Sequence, residues 1–388
     1  MTTPVIKRHT CRACGGTLRP LIDFGPLPMM GVFRARNEHV PLYPLSLAAC
    51  NDCQLIQLEH TVDPGETFRE GFGYRSATNE SMVHHLKQLA DYLSSIKGTG
   101  PILDIACNDN TFLKLMPGDD EKIGIDPVGE DADGITTIKT FFSREAYGDR
   151  PKAGLITAFA VLYDLDDPVK FMREVASCLS DDGVFAIEVG DGKSLLAGTY
   201  DVVCHEHLTF FGRRHLFEMG LKANLRLTFS ARTSTNGGSI FAIFEKMGGP
   251  SLILEEHTDE YTRDAVDALP DGIRLWASTL HRMGKEMGPM TGLAASTKGN
   301  FTLQVARLTD YVKNVVDRGA HKVGKVIPGT SIPIIGEEQF REEKPDRLLA
   351  LAWHFWPSME ARYKEFLPKE TKILFPLPIP KIIGLTLK

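Results

Sequence analysis

No apolar run in this chain reaches the roughly 18–20 residues that a membrane-spanning helix requires, so no membrane partner is expected. The opening stretch MTTPVIKRHTCRAC has no apolar core of the kind a secretory signal carries, which points to a cytoplasmic protein. Positive charge is in deficit: 44 Lys and Arg against 50 Asp and Glu leave a net charge of −6. That balance argues against a basic surface for nucleic acid. Long internal repeats and low-complexity tracts are absent, and 43% hydrophobic with 24% charged residues is an ordinary globular balance. Cysteine is scarce, seven in 388 residues, yet four of the seven fall in two CxxC pairs. In a reducing compartment such pairs read as metal ligands rather than disulfides.

The length allows two or three domains. Residues 1–70 are turn-rich, with CRACGG as one knuckle and ACNDC as a second, between short strands. So small a segment buries little core, and a metal would substitute for one. Residues 71–250 alternate helical and strand patterns. NESMVHHLKQLADYLSSIK reads as a helix capped by Asn79, and ILDIACND, KIGIDP, AGLITAFAVLYDL and VFAIEVG read as strands. DPVKFMREVASC and RRHLFEMGLKAN read as helices, and LRLTFSARTS with GSIFAIFEK as a hairpin. The alternation predicts a mostly parallel sheet covered on both faces. Residues 251–388 open with a polar helical connector and continue into a second α/β pattern.

Three constellations carry chemistry. Cys11, Cys14, Cys50 and Cys53 present four thiolates, a set that suits tetrahedral zinc in a closed structural site. Four free buried thiols are the alternative. ILDIACNDN ends a strand at Asp104 and turns into a helix, the geometry by which α/β sheets receive nucleoside-like ligands. Asp104, Ala106, Asn108 and, on the next strand, Asp126 are the candidate cofactor contacts, with Asp126 placed for ribose hydroxyls. The arrangement resembles the S-adenosylmethionine site of class I methyltransferases, although Ala106 and Asn110 stand where glycine is common. The third is VVCHEHLTFF, which sets His205, Glu206 and His207 after what looks like a buried strand. Two histidines two residues apart make a poor metal site, whereas an imidazole and a carboxylate at the mouth of a sheet suit proton transfer. Lys298 in STKGN reads either as a phosphate contact at a helix start or as a solvated loop residue.

In order and spacing, the cysteine module, GYRSATNESMVHH, ILDIACND, DDGVFAIEV, HEHLTFF, NGGSIFAIF, STKGN and VVDRGAHKVGKVIPGTSIPI resemble the sugar C-methyltransferases that act on nucleotide-linked deoxy-ketosugars. That resemblance implies a zinc module, a central Rossmann-like S-adenosylmethionine domain and a C-terminal Rossmann-like domain that helps bind a nucleotide sugar. It implies that His207, the last residue of a Tyr-x-Glu-His pattern, is the general base for enolisation, with Glu206 beside it and Tyr74 in the active site. The chain departs from the pattern at Cys204, where the family has its tyrosine, at Tyr163, where it has an active-site histidine, and in GLAASTKGN, which replaces a more glycine-rich turn with Ala294 and Thr297 at altered positions. Transfer to oxygen or nitrogen and a noncatalytic binder are the competing expectations. The oligomeric state is left open, a monomer being compatible with the sequence.

Overall fold

The computed structural model describes residues 5–36, 38–66, 68, 75–78, 80–248 and 261–385. The expected helix cap Asn79 lies outside them. The cysteine module consists of β1 (Val5–Lys7), β2 (Leu18–Pro28), β3 (Leu42–Cys50), β4 (Ile56–Leu58) and β5 (His60–Val62). Each CxxC turn links two of these strands.

The central part follows as α1 (Glu80–Ile96), β6 (Ile102–Ile105), α2 (Thr111–Leu115), β7 (Lys122–Ile125), β8 (Ile135–Ile138), α3 (Arg144–Tyr147) and β9 (Ala153–Phe159). It continues with α4 (Pro168–Cys178), β10 (Leu179–Gly190), α5 (Gly192–Leu196), β11 (Thr209–Phe210), α6 (Arg213–Lys222), β12 (Leu225–Thr233) and β13 (Ser239–Lys246). One seven-stranded sheet runs β12-β13-β10-β9-β6-β7-β8. It is parallel from β10 to β8, and the β12–β13 hairpin closes one edge antiparallel. All four residues of β6 are buried, as a strand covered on both faces requires. Pro168 opens α4, with the Asp167 side chain accepting from the Lys170 N–H.

The C-terminal part begins with α7 (Arg263–Met287). It then runs β14 (Met290–Leu293), α8 (Thr297–Val305), β15 (Val312–Val316), β16 (Ile334–Ile335), α9 (Glu337–Glu343), β17 (Arg347–Leu349), α10 (Trp356–Tyr363), β18 (Lys372–Phe375) and β19 (Lys381–Gly384). Its six strands run β16-β15-β14-β17-β18-β19, parallel except for the last pair.

Three local readings differ from the sequence expectation. The strand expected over AGLITAFAVLYDL stops at Phe159, because Ala160 takes the left-handed conformation (φ 57°) and 162–164 coil into a 3-10 turn. The apolar stretch before HEHLTFF is not a strand either: Tyr200–Val202 is a 3-10 turn, and only Thr209–Phe210 is extended. The polar connector is a helix with a continuous apolar side of Val266, Leu269, Ile273, Trp276 and Leu280. Those side chains join Leu45 and Leu47 of β3, Leu208 and Phe210, and Phe301 of α8 in one core. The three parts of the chain therefore meet across a shared apolar seam rather than through a solvated linker. No helix among the described residues is long and apolar enough to cross a membrane.

Candidate active site

The four sulfurs of Cys11, Cys14, Cys50 and Cys53 lie within 4.8 Å of one another. Two of the separations are 3.6 Å (Cys11–Cys53) and 3.3 Å (Cys14–Cys50). Tetrahedral zinc with ~2.3 Å bonds sets its sulfurs about 3.8 Å apart, so the cage fits the ion. The Cys14 N–H donates to the Cys11 sulfur, Gly16 N–H to Cys14 and Asp52 N–H to Cys50, all of which favour thiolates. Crowding makes the thiols unequal. Hydrogen bonding from Cys53 pulls Cys11 down to about 5, while burial pushes Cys50 up to about 11. Four thiolates at this spacing need a cation, and zinc supplies it. A Cβ on Gly16 would stand 3.0 Å from Cys50 Sγ and 2.1 Å from Asp52 Oδ2, so a larger residue there would displace the exposed Asp52 side chain and crowd the cage.

The module is tied to the central part at several points. His215 Nε2 donates to the Cys53 carbonyl (2.9 Å) and Lys222 Nζ to the Ala13 carbonyl (2.9 Å). Arg8 pairs with Asp166 at 2.9 Å. The closest tie is a shared sheet. β11 pairs antiparallel with β4, Thr209 opposite Gln57 and Phe210 opposite Ile56, and the Leu58 N–H donates to the Leu208 carbonyl (2.9 Å). The strand that leaves His207 is therefore a strand of the zinc module.

At the carboxyl edge of β6 the chain takes three left-handed residues in quick succession, Ala106 (φ 60°), Asn108 (φ 51°) and Asn110 (φ 60°). The glycine-type turn is kept without glycine, and Ala106 carries the larger steric cost. Asp126 holds the turn, accepting from the Asn108 N–H at 3.0 Å and the Val128 N–H at 2.7 Å. Each carboxylate oxygen keeps a second lone pair for a ligand hydroxyl. Asp104 accepts from Thr157 Oγ1 at 2.7 Å; burial, with Asp126 and Asp109 adding repulsion, raises its carboxyl to about 7. Asp109 accepts from the Ala77 N–H (2.9 Å) and from Thr111. Three acids around one turn suit a cationic ligand that also carries vicinal hydroxyls. S-adenosylmethionine is such a ligand.

His207 stands beyond the carboxyl edges of β9 and β10. Its Nδ1–H donates to the Val202 carbonyl at 2.7 Å, which fixes the tautomer and leaves Nε2 as the lone-pair nitrogen. Burial lowers its pKa to about 4, with the charge of Lys298 adding to the effect. Tyr163 packs edge-on against the imidazole, ring centroids 4.7 Å apart. Glu206 and Asp164 face each other nearby: Glu206 Oε2 and Asp164 Oδ1 are both buried without a hydrogen-bond partner, and both carboxyls are raised, chiefly by burial. Cys204 is buried to 1% exposure, and its thiol, in hydrogen-bond contact with Glu206, is pushed well up by burial. His205 turns the other way, its Nε2 donating to the Tyr43 carbonyl of the zinc module (3.1 Å). The two histidines thus share no face, and HEH is a turn with divergent side chains. Tyr74 lies outside the described residues.

The structure adds Asp201 and His354, which the sequence did not single out, and places Lys298, which it did. Asp201 is fully buried, its Oδ2 accepting from the Trp353 indole (2.9 Å) and its Oδ1 unpartnered. His354 Nδ1 is likewise buried and unpartnered. Lys298, at the start of α8, donates to the Asn236 carbonyl at 2.5 Å and acts electrostatically on Asp201, His207 and His354. His85 of α1 pairs with Glu188 at the end of β10 (2.8 Å), and Thr233 donates to the same carboxylate (3.0 Å). A lone acid inside an apolar run, as in VLYDL and TYDVV, was the available signal for Asp164 and Asp201. Nothing local marked Trp353 or His354, which reach the site from the other domain.

Comparison with known proteins follows the same division. Residues 11–68 match the family model described as "Putative zinc binding domain", residues 74–228 the "Methyltransferase domain", and residues 261–378 the "C-methyltransferase C-terminal domain". C-methyltransferase NovU of Streptomyces niveus is 26% identical over 96% of this chain and 96% of its own. Among solved structures, the CcbJ methyltransferase from Streptomyces caelestis covers 48% of this chain and 96% of its own at 11% identity and a TM-score of 0.35. LepI in complex with SAM covers 44% of this chain and 54% of its own at 14% identity and a TM-score of 0.33. A C-methyltransferase C-terminal domain follows a zinc-binding and a methyltransferase domain, and a relative is matched over 96% of both chains; together these support an S-adenosylmethionine-dependent C-methyltransferase.

Proposed function

We propose that the enzyme methylates the carbon alpha to the ketone of a nucleotide-linked keto-deoxysugar, with His207 as general base. The observation that carries this reading is the fixed tautomer of His207. Val202 holds Nδ1–H, so Nε2 is the ring nitrogen able to accept a proton, in a crevice where burial keeps the ring neutral. His207 Nε2 takes the alpha proton, the C–H electron pair moves into the carbonyl, and the ketone oxygen becomes an enolate oxygen. The turn of Asp104, Ala106, Asn108 and Asp126 would hold S-adenosylmethionine, which would supply the electrophilic methyl group to the carbon, the S–CH3 bond breaking and S-adenosylhomocysteine leaving.

A nucleotide is supported by the C-terminal part, which repeats the turn chemistry of the central one. β14 ends in left-handed Ala294 (φ 71°), and Asp317 at the end of β15 accepts from the Ala295 N–H at 2.8 Å, as Asp126 accepts from Asn108. The name of the relative NovU supports carbon as the acceptor.

The test uses a thymidine diphosphate-linked 4-keto-6-deoxysugar in deuterated buffer. Without methyl donor, the wild-type enzyme is expected to exchange the alpha proton, and with donor to give a new methyl singlet on a quaternary carbon. A methyl signal on oxygen or nitrogen, or a His207→Ala enzyme as fast as wild type, would sink the reading.

A further inference from the structure

An enolate needs more than a base. Negative charge grows on the ketone oxygen, and preorganised donors aimed at that oxygen supply the largest share of barrier lowering in such steps. In this chain the family pattern's tyrosine is a buried thiol, a weak donor already engaged with Glu206. We propose that Lys298 is the group that meets the enolate oxygen, an assignment that rests on the functional reading above.

Three placements carry it. First, the start of α8 borders the catalytic turn. A Cβ on Gly31 would lie 2.8 Å from Thr297 Oγ1 and 3.1 Å from Glu206 Oε1, so one glycine separates the residue before Lys298 from the residue before His207. Second, Lys298 Nζ crosses from the C-terminal part to the Asn236 carbonyl at the tip of the β12–β13 hairpin, so the ammonium is held in a part-buried bond between two domains rather than left to solvent. Third, the groups that feel its charge are His207, Asp201 and His354. Among the described residues, no Arg or other Lys is a charge partner of these three, whereas a diphosphate cradle gathers several donors of like sign. In a ketone the oxygen lies about 2.4 Å from the alpha carbon, from bond lengths near 1.23 and 1.52 Å. A base and an oxyanion donor for one enolisation must therefore be close neighbours, and Lys298 is near enough for its charge to act on the His207 imidazole. The fully buried Asp201 keeps one oxygen on the Trp353 indole and the other without a hydrogen-bond partner, and its carboxyl, raised by burial, also feels the charge of Lys298.

The test compares zinc-loaded wild type, Lys298→Met, Lys298→Arg and His207→Ala. Three quantities are measured: alpha-deuterium uptake by the same ketosugar without methyl donor, the affinity for thymidine diphosphate by calorimetry, and the His207 titration by ¹⁵N NMR of labelled histidine. Lys298→Met is expected to slow deuterium uptake by about 10²–10³-fold, the usual effect of deleting one oxyanion donor. Thymidine diphosphate affinity should stay within about threefold, the His207 titration should move upward, and Lys298→Arg should regain part of the rate. Wild-type exchange in Lys298→Met, with diphosphate affinity lost instead, overturns the proposal and makes Lys298 a phosphate ligand. An unmoved His207 titration in that variant also overturns it, and needs no substrate. If wild type takes up no deuterium, or His207→Ala takes it up undiminished, the enolate reading itself fails, separably from anything Lys298 does.

Discussion

The protonation state of His207 makes a quantitative demand on the pH profile. An ordinary histidine titrates near 6.5, and burial with the nearby Lys298 charge brings this one to about 4. At pH 5.5 an ordinary imidazole is about 9% neutral, whereas one with the lowered value is about 97% neutral. If Nε2 is the base, kcat/KM for the ketosugar should be nearly the same at pH 5.5 as at 7.5, where a solvated base would have lost about tenfold. The folded state must survive the comparison. His207, His205 and His215 are each lowered to about 4 and His354 to about 3, so each contributes stability that is present above pH 6.5 and lost as pH falls toward its folded value. Asp104, Asp164, Asp201 and Glu206 have the opposite sign: their folded pKa values are raised, Asp104 to about 7, so as pH rises above the ordinary carboxylate range the native state holds protons that the unfolded chain releases. The two sets offset each other, and circular dichroism at pH 5.5 is expected to show a folded enzyme. A kcat/KM that halves near pH 6.5 while the protein stays folded would refute the argument that a buried, tautomer-fixed imidazole is the base.

Two further outcomes follow from how the zinc module meets the catalytic turn. Removing the metal with a strong chelator should abolish activity in proportion to zinc lost, read by mass spectrometry of the bound metal, because β11 leaves His207 as a strand of the β3–β4 sheet; full activity in metal-free protein would contradict this. Gly31→Ala should cost about 1–3 kcal/mol of stability by overpacking against Thr297 and Glu206, with kcat falling by about tenfold or more. Thr297→Ala added to it should restore melting temperature ahead of kcat, and a silent Gly31→Ala would show that the contact is slack.

The sequence spoke clearly where periodicity or spacing was dense. The two CxxC pairs converge on one cage, and ILDI, KIGI and the amphipathic α1 and α4 form as their patterns require. It misread YDVVCHEH, because a short apolar run looks the same whether it pairs in a sheet or packs as a turn against a neighbouring domain. Val203, Cys204 and Leu208 are buried by α7 and the zinc module, contacts that no local pattern records. For the same reason Asn236 and Lys298, each ambiguous alone, acquire meaning only as a pair bridging two domains. Asp201 and Trp353, 152 residues apart, were invisible until the tertiary structure joined them.

The position of the zinc module gives it a role beyond stabilising a small domain. A catalytic turn between two domains faces a conflict: it must stay open to substrate, and an open turn has few backbone partners of its own. Here the conflict is resolved by dividing the turn between two supports. Tyr163, in the 3-10 turn that follows β9, accepts from the Leu208 N–H through its carbonyl at 2.8 Å, and β4 takes the next two residues into its sheet. His205 anchors to Tyr43 and His207 to Val202, so alternate residues are pinned while Glu206 between them keeps one oxygen unpaired. The metal fixes the ends of β3 and the start of β4 through Cys50 and Cys53, a few residues from that pairing. Fixing the turn from the zinc side leaves its other side to face α8, where Gly31 lies between Glu206 and Thr297, and there the proposed base feels the charge of Lys298.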